Sequence, residues 1–99
     1  MKEWTAQEVW DRLKKGEKLR IVDVREPGEF ASGHIPGAEL ISMGQIPSSL
    51  NLFDKDEQVI FVCRSGGRSY QVSSYMDSSG FKNVINMQGG MLAWPGEVE

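Results

Sequence analysis

Apolar residues near the start of the chain recur at the spacing of one helix face. These residues are Ala6, Val9, Trp10 and Leu13. The pattern predicts an amphipathic helix over residues 5–15, with its apolar face, Trp10 included, in the core. Thr5 and Glu8 have the spacing of a capping box, which satisfies free amides at a helix start. Gly16 follows two lysines and is expected to end the helix.

Short apolar runs farther along the chain predict strands. Residues 19–24 have the length and the β-branched composition of a buried parallel strand, and residues 59–62 form a second such run. Residues 38–41 and 84–87 are further strand candidates, and residues 2–4 are a candidate edge strand.

Helical patterns lie between the strand candidates. Residues 25–31 have the pattern of a short helix with Pro27 in its first turn, and residues 69–79 form a longer helix with an apolar stripe. A final short helix is expected near the C-terminus, whereas residues 42–51 fit either a loop or a short helix. Strands that alternate with helices predict an α/β fold with a largely parallel sheet and helices on both faces.

The composition is that of an ordinary globular protein, and it excludes several classes of function. The 99 residues, 39% hydrophobic and 25% charged, are expected to form a single domain over 1–99. A net charge of -3 argues against a nucleic-acid partner. One cysteine and one histidine cannot supply a usual zinc set, so we expect no metal and no cofactor. With no signal-like or membrane-length apolar segment, the expected location is the cytoplasm, away from membranes.

The only cysteine stands at the junction between a predicted strand and a predicted helix. Cys63 follows the run 59–62 and opens what we term the Cys63 loop, whose other members are Arg64, Ser65, Gly66, Gly67, Arg68 and Ser69. Loop amides at a helix N-terminus, flanked by two arginines, favour an anion and should lower the pKa of the thiol. This loop is therefore the candidate site, with Cys63 as its nucleophile.

Two further loops should meet the Cys63 loop, because the carboxyl ends of parallel strands lie at one edge of a sheet. Asp23 and Arg25 lie at the end of an earlier strand and are candidate supporting residues. The turn of Gly89 and Gly90 follows the last strand and should reach the same edge. We expect Arg25 to pair with Glu29, one helical turn away.

The Cys63 loop contains no side chain suited to general acid or base catalysis. Its arginines stay protonated at any relevant pH, and it has no histidine or carboxylate. His34 is expected to stabilise its own turn through backbone hydrogen bonds, and Ser69 to cap the following helix. The loop therefore suggests an already ionised thiol that attacks a group whose leaving fragment is a stable anion. On residue type alone, the alternative is an inert, buried cysteine.

Three separated stretches carry a family pattern. They are residues 23–30 running into 33–38, residues 63–69 and residues 89–94, which read DVREPGEF, GHIPGA, CRSGGRS and GGMLAW. Together they resemble the rhodanese family of sulfurtransferases, in particular its single-domain members, over about residues 4–96. The resemblance implies a rhodanese-like fold, with a five-stranded sheet of order 1-5-4-2-3 flanked by helices.

The resemblance also implies a reaction and the roles of the loop residues. Cys63 would take a sulfane sulfur atom from a small anionic donor such as thiosulfate and hold it as a persulfide. Cyanide, a cellular thiol or a sulfur-accepting protein would then remove it. The amides from Arg64 to Ser69 would cradle the sulfur, and Arg64 and Arg68 would bind the donor. Expulsion of sulfite needs no proton, which suits a site without a general acid.

Two alternatives stay open. A cysteine-based phosphatase or arsenate reductase also places a cysteine and an arginine around an anion loop. Those phosphatases have the arginine six positions after the cysteine, whereas Arg68 stands five after Cys63. The shorter loop should be too tight for a tetrahedral phosphoryl group, while a single sulfur fits. The other alternative is a non-catalytic rhodanese-like binding module, although such modules tend to lose the cysteine.

Overall fold

The computed structural model describes all residues from Met1 to Glu99, arranged around a five-stranded sheet. Its strands are β1 (Lys2–Thr5), β2 (Ile21–Asp23), β3 (Glu39–Leu40), β4 (Val59–Val62) and β5 (Val84–Gln88). Every neighbouring pair is parallel and the order is β1-β5-β4-β2-β3, which confirms the predicted class and strand order. The β4 strand therefore lies at the centre, between β5 and β2.

Three α-helices and three short 3-10 helices complete the fold. The α-helices are α1 (Ala6–Lys14), α2 (Pro27–Ala31) and α3 (Gly67–Ser78). The 3-10 helices are Met43–Ser48, Leu50–Leu52 and Gly90–Ala93. The first two resolve the ambiguous segment 42–51. None of the helices combines the length and the hydropathy that a membrane span requires.

The α1 helix begins as its sequence predicts. The Thr5 hydroxyl accepts a hydrogen bond from the Glu8 amide at 3.1 Å, and the Glu8 carboxylate accepts one from the Thr5 amide at 3.3 Å. The capping box is therefore confirmed. Trp10 is half-buried and packs edge-to-face on Trp94, with ring centroids 5.6 Å apart.

Side chains of the central strand alternate between two apolar cores. Ile60 and Val62 join the core that α1 covers, whereas Val59 and Phe61 join the core that α3 covers. None of the four is more than 1% exposed. Burial of such side chains stabilises the fold by about 1.5–3 kcal/mol each. Cys63 thus follows the most deeply packed strand of the sheet, which gives the loop a rigid base.

Candidate active site

Cys63 lies directly after β4, at the carboxyl edge of the sheet, and is 1% exposed. The loop curls back over its side chain. Cys63 Sγ accepts a hydrogen bond from the Gly66 amide at 3.1 Å, and the Ser69 hydroxyl lies within hydrogen-bond reach of it, at 3.3 Å. An amide of the loop and a hydroxyl of the following helix therefore surround one sulfur atom.

Opposing effects set the pKa of the Cys63 thiol. Burial is the largest single effect and raises this pKa, because the thiolate loses solvation. The Ser69 hydroxyl, when it donates to the thiolate, and the amides of Ser69, Gly66 and Ser65 together lower it by more. The pKa of the thiol therefore lies below its ordinary value, which brings the thiolate closer to neutral pH.

The helix after the loop begins two residues earlier than predicted. Gly66 is the residue before α3 and has a left-handed φ of +103°, a conformation that glycine adopts without strain. The chain can therefore turn into the helix at Gly67. Ser69 lies inside the helix and is fully buried, so the prediction that it caps the helix is wrong.

The turn after β5 holds the other side of the loop through the backbone. The amide of Met91 donates to the Cys63 carbonyl at 2.9 Å, and the amide of Leu92 donates to the Arg64 carbonyl at 3.0 Å. A Cβ at Gly90 would lie 2.5 Å from both of these carbonyl oxygens. Close approach of the two backbones therefore requires glycine at position 90. The predicted meeting of this turn with the Cys63 loop is confirmed.

An ion pair joins the loop to α2. Arg68 donates to both oxygens of the Glu29 carboxylate, at 2.7 and 2.8 Å. Hydrogen bonds from Arg68 and from the Glu26 amide lower the pKa of Glu29 to about 2, and this carboxylate raises the pKa of Arg68. The expected pairing of Glu29 with Arg25 is therefore wrong.

Arg25 instead faces inward and pairs with Asp23. Its guanidinium donates to Asp23 Oδ1 at 2.9 Å and to Oδ2 at 2.7 Å, with Asp23 1% and Arg25 6% exposed. The same guanidinium donates to the Gly33 carbonyl at 2.8 Å.

His34, next in the chain, stacks on Phe30 and uses Nδ1 in a 2.9 Å hydrogen bond with the Phe30 carbonyl. The backbone hydrogen bond predicted for His34 is confirmed.

Arg64 is the one arginine at this edge without a partner. Its side chain is exposed and takes part in no ion pair or hydrogen bond. From the sequence, Arg64 and Arg68 were equivalent cations that favour a bound anion. Glu29 supplies that anion for Arg68, so Arg64 alone keeps a free charge.

A polar network beside the thiol was not predicted. The Ser69 hydroxyl also lies 2.6 Å from Asn86 Oδ1, and Asn86 Nδ2 donates to Glu3 Oε2 at 3.2 Å. Asn86 is 2% exposed in the otherwise apolar strand β5. One asparagine in the run Val-Ile-Asn-Met was the available signal for this contact. Glu3 and Asn86 line a cavity of about 380 Å³ on the β5 side of the loop.

Known proteins resemble this chain in sequence over nearly its whole length. The family model for the rhodanese-like domain matches residues 5–97. The chain belongs to the rhodanese-like domain family. Protein YtwF of Bacillus subtilis is 44% identical over 99 residues, which cover 100% of this chain and 95% of YtwF. Thiosulfate sulfurtransferase GlpE of Pseudoalteromonas translucida is 37% identical over 78 residues, covering 79% of this chain and 74% of GlpE.

Solved structures share the same rhodanese-like fold. The crystal structure of a rhodanese-like domain protein from Staphylococcus aureus superposes with a TM-score of 0.91 at 42% identity. The match covers 100% of this chain and 97% of that one. Within this fold, all residues of the Cys63 loop lie at one sheet edge, and Asp23 and Arg25 lie at the end of the adjacent strand β2. No group of three or more histidine, cysteine or carboxylate side chains is arranged to hold a metal ion.

Proposed function

We propose that the protein is a sulfurtransferase that moves a sulfane sulfur atom from a small anionic donor to a thiophilic acceptor through a persulfide on Cys63. One observation carries the proposal: hydrogen-bond donors converge on a single sulfur atom whose pKa is lowered. Membership of the rhodanese-like family and the name of the relative GlpE support the reaction class.

The first step loads the cysteine. The Cys63 thiolate attacks the outer sulfur of a donor such as thiosulfate, and a new S–S bond forms at Cys63. The S–S bond of thiosulfate breaks, and sulfite leaves with that electron pair. Since sulfite is stable as an anion, no general acid is required.

The second step transfers the sulfur atom from Cys63 to an acceptor. Cyanide or an acceptor thiolate attacks the outer sulfur of the persulfide, which forms thiocyanate or an acceptor persulfide. The electron pair of the broken S–S bond returns to Cys63 as a thiolate. With no second cysteine in the chain, the sulfur leaves to an outside acceptor, so we expect double-displacement kinetics.

Each residue of the site has a role in this scheme. The amides of Arg64, Ser65, Gly66, Gly67, Arg68 and Ser69 stabilise the charged sulfur, as successive N–H groups in a curved loop do. Arg64 attracts the donor anion, because its charge is free. Arg68 adds positive charge while Glu29 fixes its position. Asp23 and Arg25 brace the neighbouring segment.

Burial of Cys63 restricts what can react with it. At 1% exposure the thiolate favours a small, unhindered donor. Loading lengthens the side chain by one S–S bond of about 2.05 Å, which brings the transferable sulfur nearer to an outside acceptor. That acceptor is cyanide, a cellular thiol or a sulfur-accepting protein.

In this proposal, residues 1–99 act as a single rhodanese domain without a cofactor, a nucleic-acid partner or a membrane partner. The cytoplasm suits a lone cysteine that must stay reduced to accept sulfur.

Mass spectrometry of the intact protein tests the proposal directly. After incubation with thiosulfate, the protein is expected to gain one sulfur atom, and cyanide should remove it and release thiocyanate. Cys63→Ser, which replaces one atom, should gain nothing. A Ser65→Ala variant is the matched control in the same loop, because only the amide of Ser65 contributes to the site, and it should still load.

The same experiment separates the alternatives. No gain of mass in the wild-type protein, with Cys63 still open to alkylation, would contradict sulfur transfer and favour a binding module. Faster turnover of a generic aryl phosphate than of thiosulfate would support the phosphatase and overturn the argument from loop length.

A further inference from the structure

Ser69 has one proton and two acceptors within reach. Its hydroxyl oxygen lies 3.3 Å from Cys63 Sγ and 2.6 Å from Asn86 Oδ1. The second distance is at the short end for an O–H···O hydrogen bond. An amide carbonyl oxygen has no proton to give, so the proton between these two oxygens is that of Ser69.

Glu3 fixes which end of the Asn86 amide faces Ser69. An ionised carboxylate only accepts hydrogen bonds, so the group 3.2 Å from Glu3 Oε2 must be the NH₂ of Asn86. The Gly66 carbonyl lies on the same side, 3.5 Å from this NH₂. The carbonyl of Asn86 is thereby turned toward Ser69.

This arrangement fits the protonated thiol and opposes the thiolate. With the Ser69 proton directed to Asn86, a Cys63 S–H group can donate to the Ser69 oxygen. The thiolate, in contrast, is stabilised when the Ser69 O–H group points to it. If the O–H group turned from Asn86 to the thiolate, the oxygens of Ser69 and Asn86 would lie 2.6 Å apart with no hydrogen between them.

Rotation of the Asn86 amide would remove this conflict. The NH₂ would then donate to Ser69, whose proton would be free for the thiolate. Glu3 opposes the rotation more strongly than the neutral and more distant Gly66 carbonyl, because its charged carboxylate would face the carbonyl oxygen of Asn86. Glu3 is exposed and borders the cavity of about 380 Å³, so it can leave Asn86 without disturbing the core.

We propose that Asn86, held by Glu3, is a positioning residue that withholds the Ser69 proton from Cys63 and so restrains formation of the thiolate. The hydrogen bonds of the Asn86 side chain go to Ser69, Glu3 and Gly66 and not to Cys63, so Asn86 acts through Ser69. The inference concerns thiol ionisation alone and does not require that Cys63 carry sulfur.

Other charged side chains lie around the thiol, and the variants that test the proposal leave them unchanged. They are Arg64 in the loop, Arg68 on α3, Glu29 on α2, and Asp23 with Arg25 at the end of β2. The segment from β5 through the following 3-10 helix contributes no ionisable residue. Glu3 on β1 is therefore the charged group to vary.

The pH profile of Cys63 alkylation by iodoacetamide tests the proposal. Glu3→Ala and Glu3→Asp should both shift the profile to lower pH. Below the midpoint both should react about three- to tenfold faster than wild type, the effect of gaining one net hydrogen bond to the thiolate. Glu3→Asp keeps the charge on a shorter side chain, so a shift in Glu3→Ala alone would assign the effect to charge and overturn the proposal.

A double-mutant cycle provides a second, independent test. Asn86→Ala should accelerate alkylation in the wild-type background and have no effect in Ser69→Ala, where there is no proton to release. Equal effects of Asn86→Ala in both backgrounds would show a merely structural role and contradict the proposal. If Asn86→Ala fails to fold, Glu3→Ala and Glu3→Asp still test the proposal, because Glu3 is exposed. A pH profile of Cys63 alkylation that is unchanged in both Glu3 variants would overturn the proposal.

Discussion

The Cys63 loop is held from its two sides by different kinds of contact. Toward β2 the contact is charged: Glu29 pairs with Arg68, and the buried Asp23–Arg25 pair lies at the end of the neighbouring strand. Toward β5 the contacts are neutral, and they are the Ser69–Asn86 hydrogen bond and the amides of Met91 and Leu92 on the loop carbonyls. The Glu29–Arg68 pair of the first side can be weakened by acid or salt, whereas the second side depends on shape and on the position of one proton.

The difference bears on how the site attracts an anion. On the β2 side, each arginine that pairs with a carboxylate loses most of its net charge as seen by an approaching donor. Arg64 is therefore the principal free cation, and the backbone amides supply the rest of the stabilisation. We therefore expect anion binding at this loop to depend less on two arginines than the sequence alone indicated.

The largest effect is expected from breaking the buried pair on the β2 side. Asp23→Asn leaves the Arg25 guanidinium buried without its countercharge, which should lower the free energy of unfolding by about 3–5 kcal/mol in urea titrations. Asp56→Asn is the matched control, since Asp56 is 83% exposed and pairs with an exposed lysine. It should cost less than about 1 kcal/mol. Similar losses in the two variants would show that burial adds nothing to the Asp23–Arg25 pair.

On the β5 side, Gly90→Ala should have the next largest effect. The new Cβ would meet the carbonyl oxygens of Cys63 and Arg64 at 2.5 Å, and φ is +57°. Overpacking and the left-handed conformation together should cost about 2–4 kcal/mol of stability. The displaced loop should also shift Cys63 alkylation toward higher pH.

Gly16→Ala separates the two causes in that experiment. Gly16 has a φ of +85° with nothing within 4 Å of an added Cβ. It should cost only about 1–2 kcal/mol, the penalty for the left-handed conformation. Equal losses at positions 16 and 90 would mean that the close approach of the β5 turn to the Cys63 loop is not important for stability.

Local sequence patterns predicted the elements of the fold well. The bounds of β4 are those expected from its apolar run, and the Thr5 capping box starts α1 as predicted. Strand order is a different matter, because periodicity cannot choose a neighbour for β4. It followed from the resemblance to a family, and the sheet confirms it.

Long-range partners within the site could not be predicted from spacing. Glu29 and Arg68 are 39 positions apart, and Ser69 and Asn86 are 17 apart. The local alternative, Arg25 with Glu29, failed because Arg25 faces inward to the buried Asp23 carboxylate and Glu29 pairs with Arg68. The partner of each polar side chain depends on where α2 and α3 lie relative to the sheet and on the place of β5 in the strand order.

The smallest expected effect comes from the exposed charged contact, Glu29–Arg68. Glu29→Gln should lower the free energy of unfolding at neutral pH by about 0.5–1 kcal/mol, since both side chains are about one-third exposed and solvent screens the pair. The pKa of Glu29 falls from 4.5 to about 2 on folding, so its contribution is complete above pH 4.5 and is lost as the pH falls toward 2. The difference between wild type and variant should therefore shrink over that interval in acid, and also at about 1 M salt. A difference that persists in acid and in salt would mean that Glu29 holds the loop through packing, and that the two sides of the loop are more alike than their contacts suggest.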